Sequence, residues 1–255
     1  MILITGGRAQ DVYKRQPYIS RRHRRPRIYN NVYIFTGKEG YMFLFITGGT
    51  ASGKSEYAEE QAEKLAAAEA ASRGDDQAAV IYAATMSDTG HDSLERIKRH
   101  KRRRERAETK IHRNVVKNVN IKYETFECFS LADAGRLAEY AEGRVVLFDC
   151  LSGFAANIMF GQPDDASGDR HEPPRPHGRP LAAKQAAAAL EQTAAALSRR
   201  CSSLILVSDL IFSDGCSYSK ETLDYIDALA LASRTAAAAA DSVTEVVCGI
   251  PVKIK

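Results

Sequence analysis

The chain has 255 residues, 44% of them apolar, enough to fill the core of one large domain or two small ones. No run approaches the roughly eighteen uninterrupted apolar residues of a membrane-spanning helix, and the first apolar run is too short for a signal peptide. The five scattered cysteines form no CxxC pair. A helical membrane protein and a disulfide-stapled secreted domain are therefore excluded, and a reducing cytoplasm is the expected location. The net charge of +4 is uneven: residues 1–41 hold nine Lys/Arg against two Asp/Glu, or +7, and the remainder 27 against 30, or −3.

The basic front end, through "QPYISRRHRRPRIYNNVY", has no helical or strand period, as expected of a solvated or disordered block. Two short strings suggest a different origin. "DVYKRQ", Asp11 to Gln16, is what GAT-GTG-TAT-AAG-AGA-CAG encodes, a string resembling a transposon end used to prepare sequencing libraries. "KEGY", Lys38 to Tyr41, can be encoded by AAG-GAG-GGN-TAY, which resembles a bacterial ribosome-binding site ahead of an ATG at Met42. "MILITGG" at the front echoes "MFLFITGG" from Met42. The expectation is that residues 1–41 are a non-native or disordered leader and that residues 42–255 are a single domain starting at Met42.

"MFLFIT" reads as a buried central strand of a parallel sheet. It runs into Gly48, Gly49, Thr50, Ala51, Ser52, Gly53, Lys54 and Ser55, which fit GxxxxGK[ST], and then into a helical pattern. In such a loop the glycines let backbone N–H groups turn toward phosphate oxygens, and the following helix presents its positive end. Lys54 would reach the β- and γ-phosphates and the Ser55 hydroxyl would ligate Mg²⁺.

Val80–Ala84 reads as the next strand and His91–Arg106 as a charged helix with Asp92 or Ser93 as its cap. Strands are expected at Ile121–Phe126 and Val145–Asp149, with helices at Leu131–Ala141 and Leu151–Phe160. Residues 161–180, rich in Pro, Gly, Asp and Arg, read as a flexible surface insertion. An alanine-rich helix over Leu181–Arg200, a strand at Leu204–Ser208, a helix at Glu221–Ala240 and strands at Val243–Cys248 and Val252–Ile254 complete the chain. Strands alternating with helices predict an α/β fold: a mostly parallel sheet covered on both faces. Asp149, ending an apolar strand, can hold Mg²⁺ or cap the next helix.

"LERIKRHKRRRER", Leu94 to Arg106, places Arg96, His100 and Arg104 on one helical face. It fits a solvated charged helix, a nucleic-acid contact, or a nucleophilic His100 kept neutral by neighbouring cations that also gather a triphosphate. Periodicity does not choose among these.

The segments "ITGGTASGKSEYAE", "YAAT", "RIKRHK", "VVLFDCLSGFAANIMF" and "ADSVTEVVCGIPVKIK" resemble the bifunctional adenosylcobinamide kinase/adenosylcobinamide-phosphate guanylyltransferase family of cobalamin assembly, from Met42 to Lys255. The resemblance implies a RecA-like P-loop domain assembled as a homo-oligomer, with ATP and GTP as substrates, Mg²⁺ as cofactor, adenosylcobinamide and its phosphate as acceptors, and no nucleic-acid partner. It implies transfer of a γ-phosphate to the acceptor hydroxyl, then attack of His100 on the α-phosphate of GTP and passage of GMP to adenosylcobinamide phosphate. Residues 48–55 match the phosphate loop. Ala84, Thr85 and Met86 match a nucleotide-contacting loop, Lys101, Arg102, Arg103 and Arg104 the GTP side, and Glu127 and Asp149 two acids of the GTP site.

Two stretches depart from the family pattern. Asp209-Leu210-Ile211 stands where Asn-Glu-Val is usual, and Ala230-Leu231-Ala232-Ser233 where Gly-Arg-x-Asn is usual. If those positions serve the cobinamide side or phosphoryl transfer, one activity is weakened or lost. The competing readings are a single-activity enzyme (guanylyltransferase alone, or a P-loop kinase for another small alcohol) and a basic nucleotide-responsive nucleic-acid binder.

Overall fold

The strands and helices of the phosphate-loop region follow the expected order. The structure, a computed structural model, describes residues 27–29, 32–34, 42–86, 98, 101–102, 105, 119–161, 181–212 and 216–255. After a pair of short strands, β1 (Arg27–Tyr29) and β2 (Val32–Ile34), come β3 (Met42–Gly48), α1 (Lys54–Arg73), β4 (Gln77–Ala84) and β5 (Asn120–Glu127). Next are α2 (Leu131–Tyr140), β6 (Val145–Asp149), α3 (Leu151–Phe160) and α4 (Ala183–Arg200). β7 (Ser203–Asp209), α5 (Lys220–Ala239), β8 (Ser242–Val247) and β9 (Ile250–Lys253) follow.

Seven strands form one sheet in the order β5-β4-β6-β7-β3-β8-β9. All pairings are parallel except β8 with β9. The fold is thus the mostly parallel α/β sheet expected, and both its faces are covered.

The central strands are apolar along most of their length, without alternation, because each face needs its own side chains. Along β3, Phe43 and Phe45 enter one core and Met42, Leu44 and Ile46 the other. β6 divides in the same way: Val146 and Phe148 on one side, Val145 and Leu147 on the other. The Phe43 side is closed by α2, α3, α4 and α5, through residues such as Leu137, Phe154, Leu190 and Leu229. Among the described residues, α1 closes the Met42 side through Ala58, Ala62, Leu65, Ala66 and Ala70. Small alanines let this helix lie close on the sheet.

Local signals account for the helix ends. Ser130 and Asp133 form a reciprocal capping box at the start of α2. α1 ends at Gly74 with φ 77°, where its N–H reaches Ala70 and Ala71 carbonyls. Lys255 Nζ donates to the carbonyls of Ala240 at 2.6 Å and Ala238 at 2.9 Å, placing a cation on the negative end of α5.

Two expectations shift. The helix after the insertion starts at Ala183 rather than Leu181, whose N–H is spent on the Ile158 carbonyl at 3.1 Å. Residues 27–34 lack a strand period, yet Arg27–Tyr29 pairs antiparallel with Val32–Ile34. This short stretch is dense in the β-favouring types Ile, Tyr and Val. Of the charged helix expected over His91–Arg106, Lys98, Lys101, Arg102 and Glu105 are helical and exposed. The other residues of that helix, and residues 162–180 of the expected insertion, lie outside the described residues.

Candidate functional site

The loop after β3 is shaped by backbone packing. Gly48 is in register with Asp209 of β7 on one side and Val246 of β8 on the other. A Cβ at Gly48 would stand 2.5 Å from the Val246 carbonyl oxygen and 2.6 Å from Ser52 Oγ, closer than atoms approach. Gly53 has φ 93°, a conformation that favours glycine, and a Cβ there would come within 3.3 Å of Gly249 Cα. The β8–β9 turn therefore rests directly on the loop, and Gly249 N–H donates to the Ser52 carbonyl at 2.8 Å.

No side chain caps the start of α1, so its first N–H groups point into the loop. Ser52 Oγ is buried there without a hydrogen-bond partner among the described residues. An anion would satisfy these donors. Gly48→Ala is expected to lower stability by about 1–3 kcal/mol through overpacking and to weaken nucleotide binding. Urea unfolding and titration with a fluorescent nucleotide check the two effects.

Lys54 and Ser55 open α1 at this mouth. Lys54 is 5% exposed, and its Nζ lies 2.6 Å from Asp209 Oδ1 and donates to the Gly49 carbonyl at 3.1 Å. Ser55 Oγ lies 3.5 Å from Asp149 Oδ1, a long contact, while the Tyr82 hydroxyl donates to Asp149 Oδ2 at 3.1 Å. Asp149 is thus not the cap of α3. That position belongs to Cys150, whose Sγ accepts from Gly153 N–H at 3.4 Å.

A hydroxyl and one carboxylate, both hard oxygen donors a short step from a phosphate loop, fit Mg²⁺, which takes few protein ligands and completes its shell with phosphates and water. Among the described residues no group of three or more His, Cys, Asp or Glu forms a closed metal cage.

The 84–86 loop follows β4 beside this mouth. In register across the sheet, Glu127 pairs with Ala84 and Ala84 with Asp149. Thr85 is buried: its hydroxyl donates to the Cys150 carbonyl at 2.8 Å and accepts from Cys150 N–H at 2.7 Å. Asn157 of α3 donates to the Thr85 carbonyl at 2.8 Å. Ala84 and Met86 are half-buried, and Glu127 is exposed at the end of β5. Burial, with Asp209 and Asp149 beside it, pushes the Cys150 thiol up to about 12, so it is a neutral donor at pH 7 and no nucleophile.

The structure therefore brings together residues 48–55, 84–86 and Asp149, and sets Glu127 on the same sheet edge. Lys101 and Arg102 are helical and exposed; His100, Arg103 and Arg104 lie outside the described residues. Sequence reasoning names Asp209 only as the start of a departure, where Asn is usual, and the structure sets it against Lys54. The signal for it was present: "SLILVSD" ends an apolar strand in an acid just as "VVLFD" does. Of the two departures from the family pattern, Leu210 and Leu231 are both exposed, and Ser233 Oγ pairs with Ser208 Oγ at 3.3 Å.

One strand, β7, separates the loop strand β3 from the acid-bearing strand β6, the RecA-like order, and the chain is a P-loop α/β protein. Over residues 44–254 it matches the family described as cobinamide kinase / cobinamide phosphate guanyltransferase. The chain belongs to that family, and is an enzyme of the kinase and guanylyltransferase class of cobalamin biosynthesis.

Among solved structures it is similar to a KaiC-like protein from the archaeon Pyrococcus horikoshii, at 12% identity over 81% of this chain and 71% of that one, TM-score 0.35. It is also similar to an ATPase of the type III secretion system of pathogenic bacteria, at 10% identity over 80% of this chain and 51% of that one, TM-score 0.33. Curated proteins yield no match. No described helix is long and apolar enough to cross a membrane.

Proposed function

We propose that the chain phosphorylates adenosylcobinamide and then transfers GMP from GTP to adenosylcobinamide phosphate through a guanylyl group on His100, giving adenosylcobinamide-GDP. The observation that carries this is the convergence of Lys54, Ser55 and Asp149 at the glycine-shaped loop of a chain matched to the family from residue 44 to 254. Residues 1–41 take no part; a protein starting at Met42 keeps both activities, as a homo-oligomer in the cytoplasm.

In the first reaction the acceptor hydroxyl oxygen attacks the γ-phosphorus of ATP or GTP. The bond to the β–γ bridging oxygen breaks, and the nucleoside diphosphate leaves. Lys54 and the N–H groups of residues 48–55 hold the β- and γ-phosphates and offset charge as it moves to the leaving oxygen. Mg²⁺, when bound by Ser55 and Asp149 together with the phosphates, supplies further charge neutralisation there.

In the second reaction an imidazole nitrogen of His100 attacks the α-phosphorus of GTP and expels pyrophosphate. Lys101, Arg102, Arg103 and Arg104 keep that imidazole neutral and gather the triphosphate. The phosphate of the acceptor then displaces the imidazole and takes GMP. Ala84, Thr85, Met86 and Glu127 line the nucleotide side.

The test is incubation with α-labelled GTP and Mg²⁺. An acid-labile, protein-bound GMP is expected, and it disappears in His100→Asn; an adduct surviving in that variant excludes the role. Assaying γ-phosphate transfer to cobinamide separately shows whether the Leu210 and Leu231 departures have removed one activity.

A further inference from the structure

The ammonium at the heart of the loop is already spoken for. Lys54 Nζ donates to the Gly49 carbonyl at 3.1 Å and forms an ion pair, by distance rather than by hydrogen-bond alignment, with Asp209 Oδ1 at 2.6 Å. Asp209 is itself held from the far side. Its Oδ2 accepts from Ser152 Oγ at 2.5 Å, and Cys150 Sγ lies 3.7 Å away. The Ser152 carbonyl in turn accepts from the Tyr225 hydroxyl at 3.1 Å, which ties in α5. The parallel register of Gly48 with Asp209 fixes this carboxylate beside the loop, and with Lys54 5% and Asp209 16% exposed the pair is poorly screened by water.

We infer that Asp209 is a positioning residue that sets nucleotide affinity by clasping Lys54, so that an arriving phosphate has to take the ammonium from a fixed carboxylate of like charge. The inference rests on the phosphate-loop reading of residues 48–55. Two effects oppose each other at this one group. Asp209 keeps a buried lysine paired and aimed when the loop holds no phosphate, and it repels the anion the loop is built to hold. Removing the charge while keeping the shape should therefore tighten binding and slow transfer together, because Lys54 is no longer aimed. A residue with a purely structural role would not tighten binding when lost.

The experiment measures Kd for a fluorescent GTP analogue with Mg²⁺, and kcat and KM for γ-phosphate transfer, on the full chain, Asp209→Asn, Asp209→Ser and Lys54→Ala. Asp209→Asn is expected to bind about tenfold tighter, with KM and kcat both falling; Asp209→Ser carries the same sign. Unchanged or weaker binding in a folded Asp209→Asn, with binding still lost in Lys54→Ala, overturns the inference and leaves the phosphate-loop reading standing. Loss of fold in both Asp209 variants also overturns it, since the residue is then structural. A wild-type chain that binds no analogue overturns both.

Discussion

Lys54→Ala is expected to lower γ-phosphate transfer by about 10³-fold, near the upper end for removing one preorganised charge donor from a water-poor site. At 5% exposure the ammonium acts through little intervening water, and no other cation among the described residues pairs with Asp209. Part of any activity loss would come from instability, because the substitution leaves the Asp209 carboxylate paired, among the described residues, with Ser152 and Cys150 alone. The double variant Lys54→Ala/Asp209→Asn separates the two. It removes the stranded charge, so its melting temperature should recover toward that of the wild type, while transfer stays about 10³-fold down. Recovery of activity along with stability would mean that Lys54 serves the fold rather than the reaction. Thermal unfolding and a coupled assay for released nucleoside diphosphate supply both readings.

The sheet was legible because each central strand has to satisfy two cores at once. "MFLFIT", "VVLFD" and "LILVS" are apolar without alternation, and that pattern belongs to strands covered on both faces. The phosphate loop was legible because its chemistry is local: glycines, lysine and serine sit within eight residues, 48–55. What stayed hidden is long-range.

Nothing in "LVSDLIF" or "LSGF" announces that Ser152 and Asp209, 57 positions apart, meet through a hydrogen bond. Nor does the sequence say that the turn at Cys248 and Gly249 braces the loop. Asp149 was ambiguous because an acid between a strand and a helix serves equally well as ligand or cap. The structure removes the cap reading: Cys150 occupies the cap, and the Asp149 oxygens face Ser55 and Tyr82. The basic helix is the reverse case. Its register was clear in sequence, and the spatial relation of His100 to the loop lies outside the described residues.

Asp149→Asn is the second large effect. The amide has the size of the carboxylate, so the Phe148 and Cys150 backbone on either side should hold its course, and the melting temperature should move little. What changes is charge. A neutral oxygen 3.5 Å from Ser55 Oγ would be a poorer partner for a doubly charged cation, and Mg²⁺ on the proposed reading would rely on few protein ligands. Transfer of the γ-phosphate is expected to fall by about 10²-fold at saturating nucleotide, with the Mg²⁺ concentration at half-maximal rate moving upward. Tyr82→Phe provides the graded control. It keeps the charge and removes the hydroxyl that fixes Asp149 Oδ2, so a loss of about tenfold is expected, the low end of what removing a partner behind a metal ligand costs. Calorimetric titration of Mg²⁺ into the nucleotide complex tests the assignment apart from turnover. If Asp149→Asn leaves that affinity and the half-maximal concentration unchanged, the carboxylate does not hold the cation, and Ser55 alone would have to be its anchor.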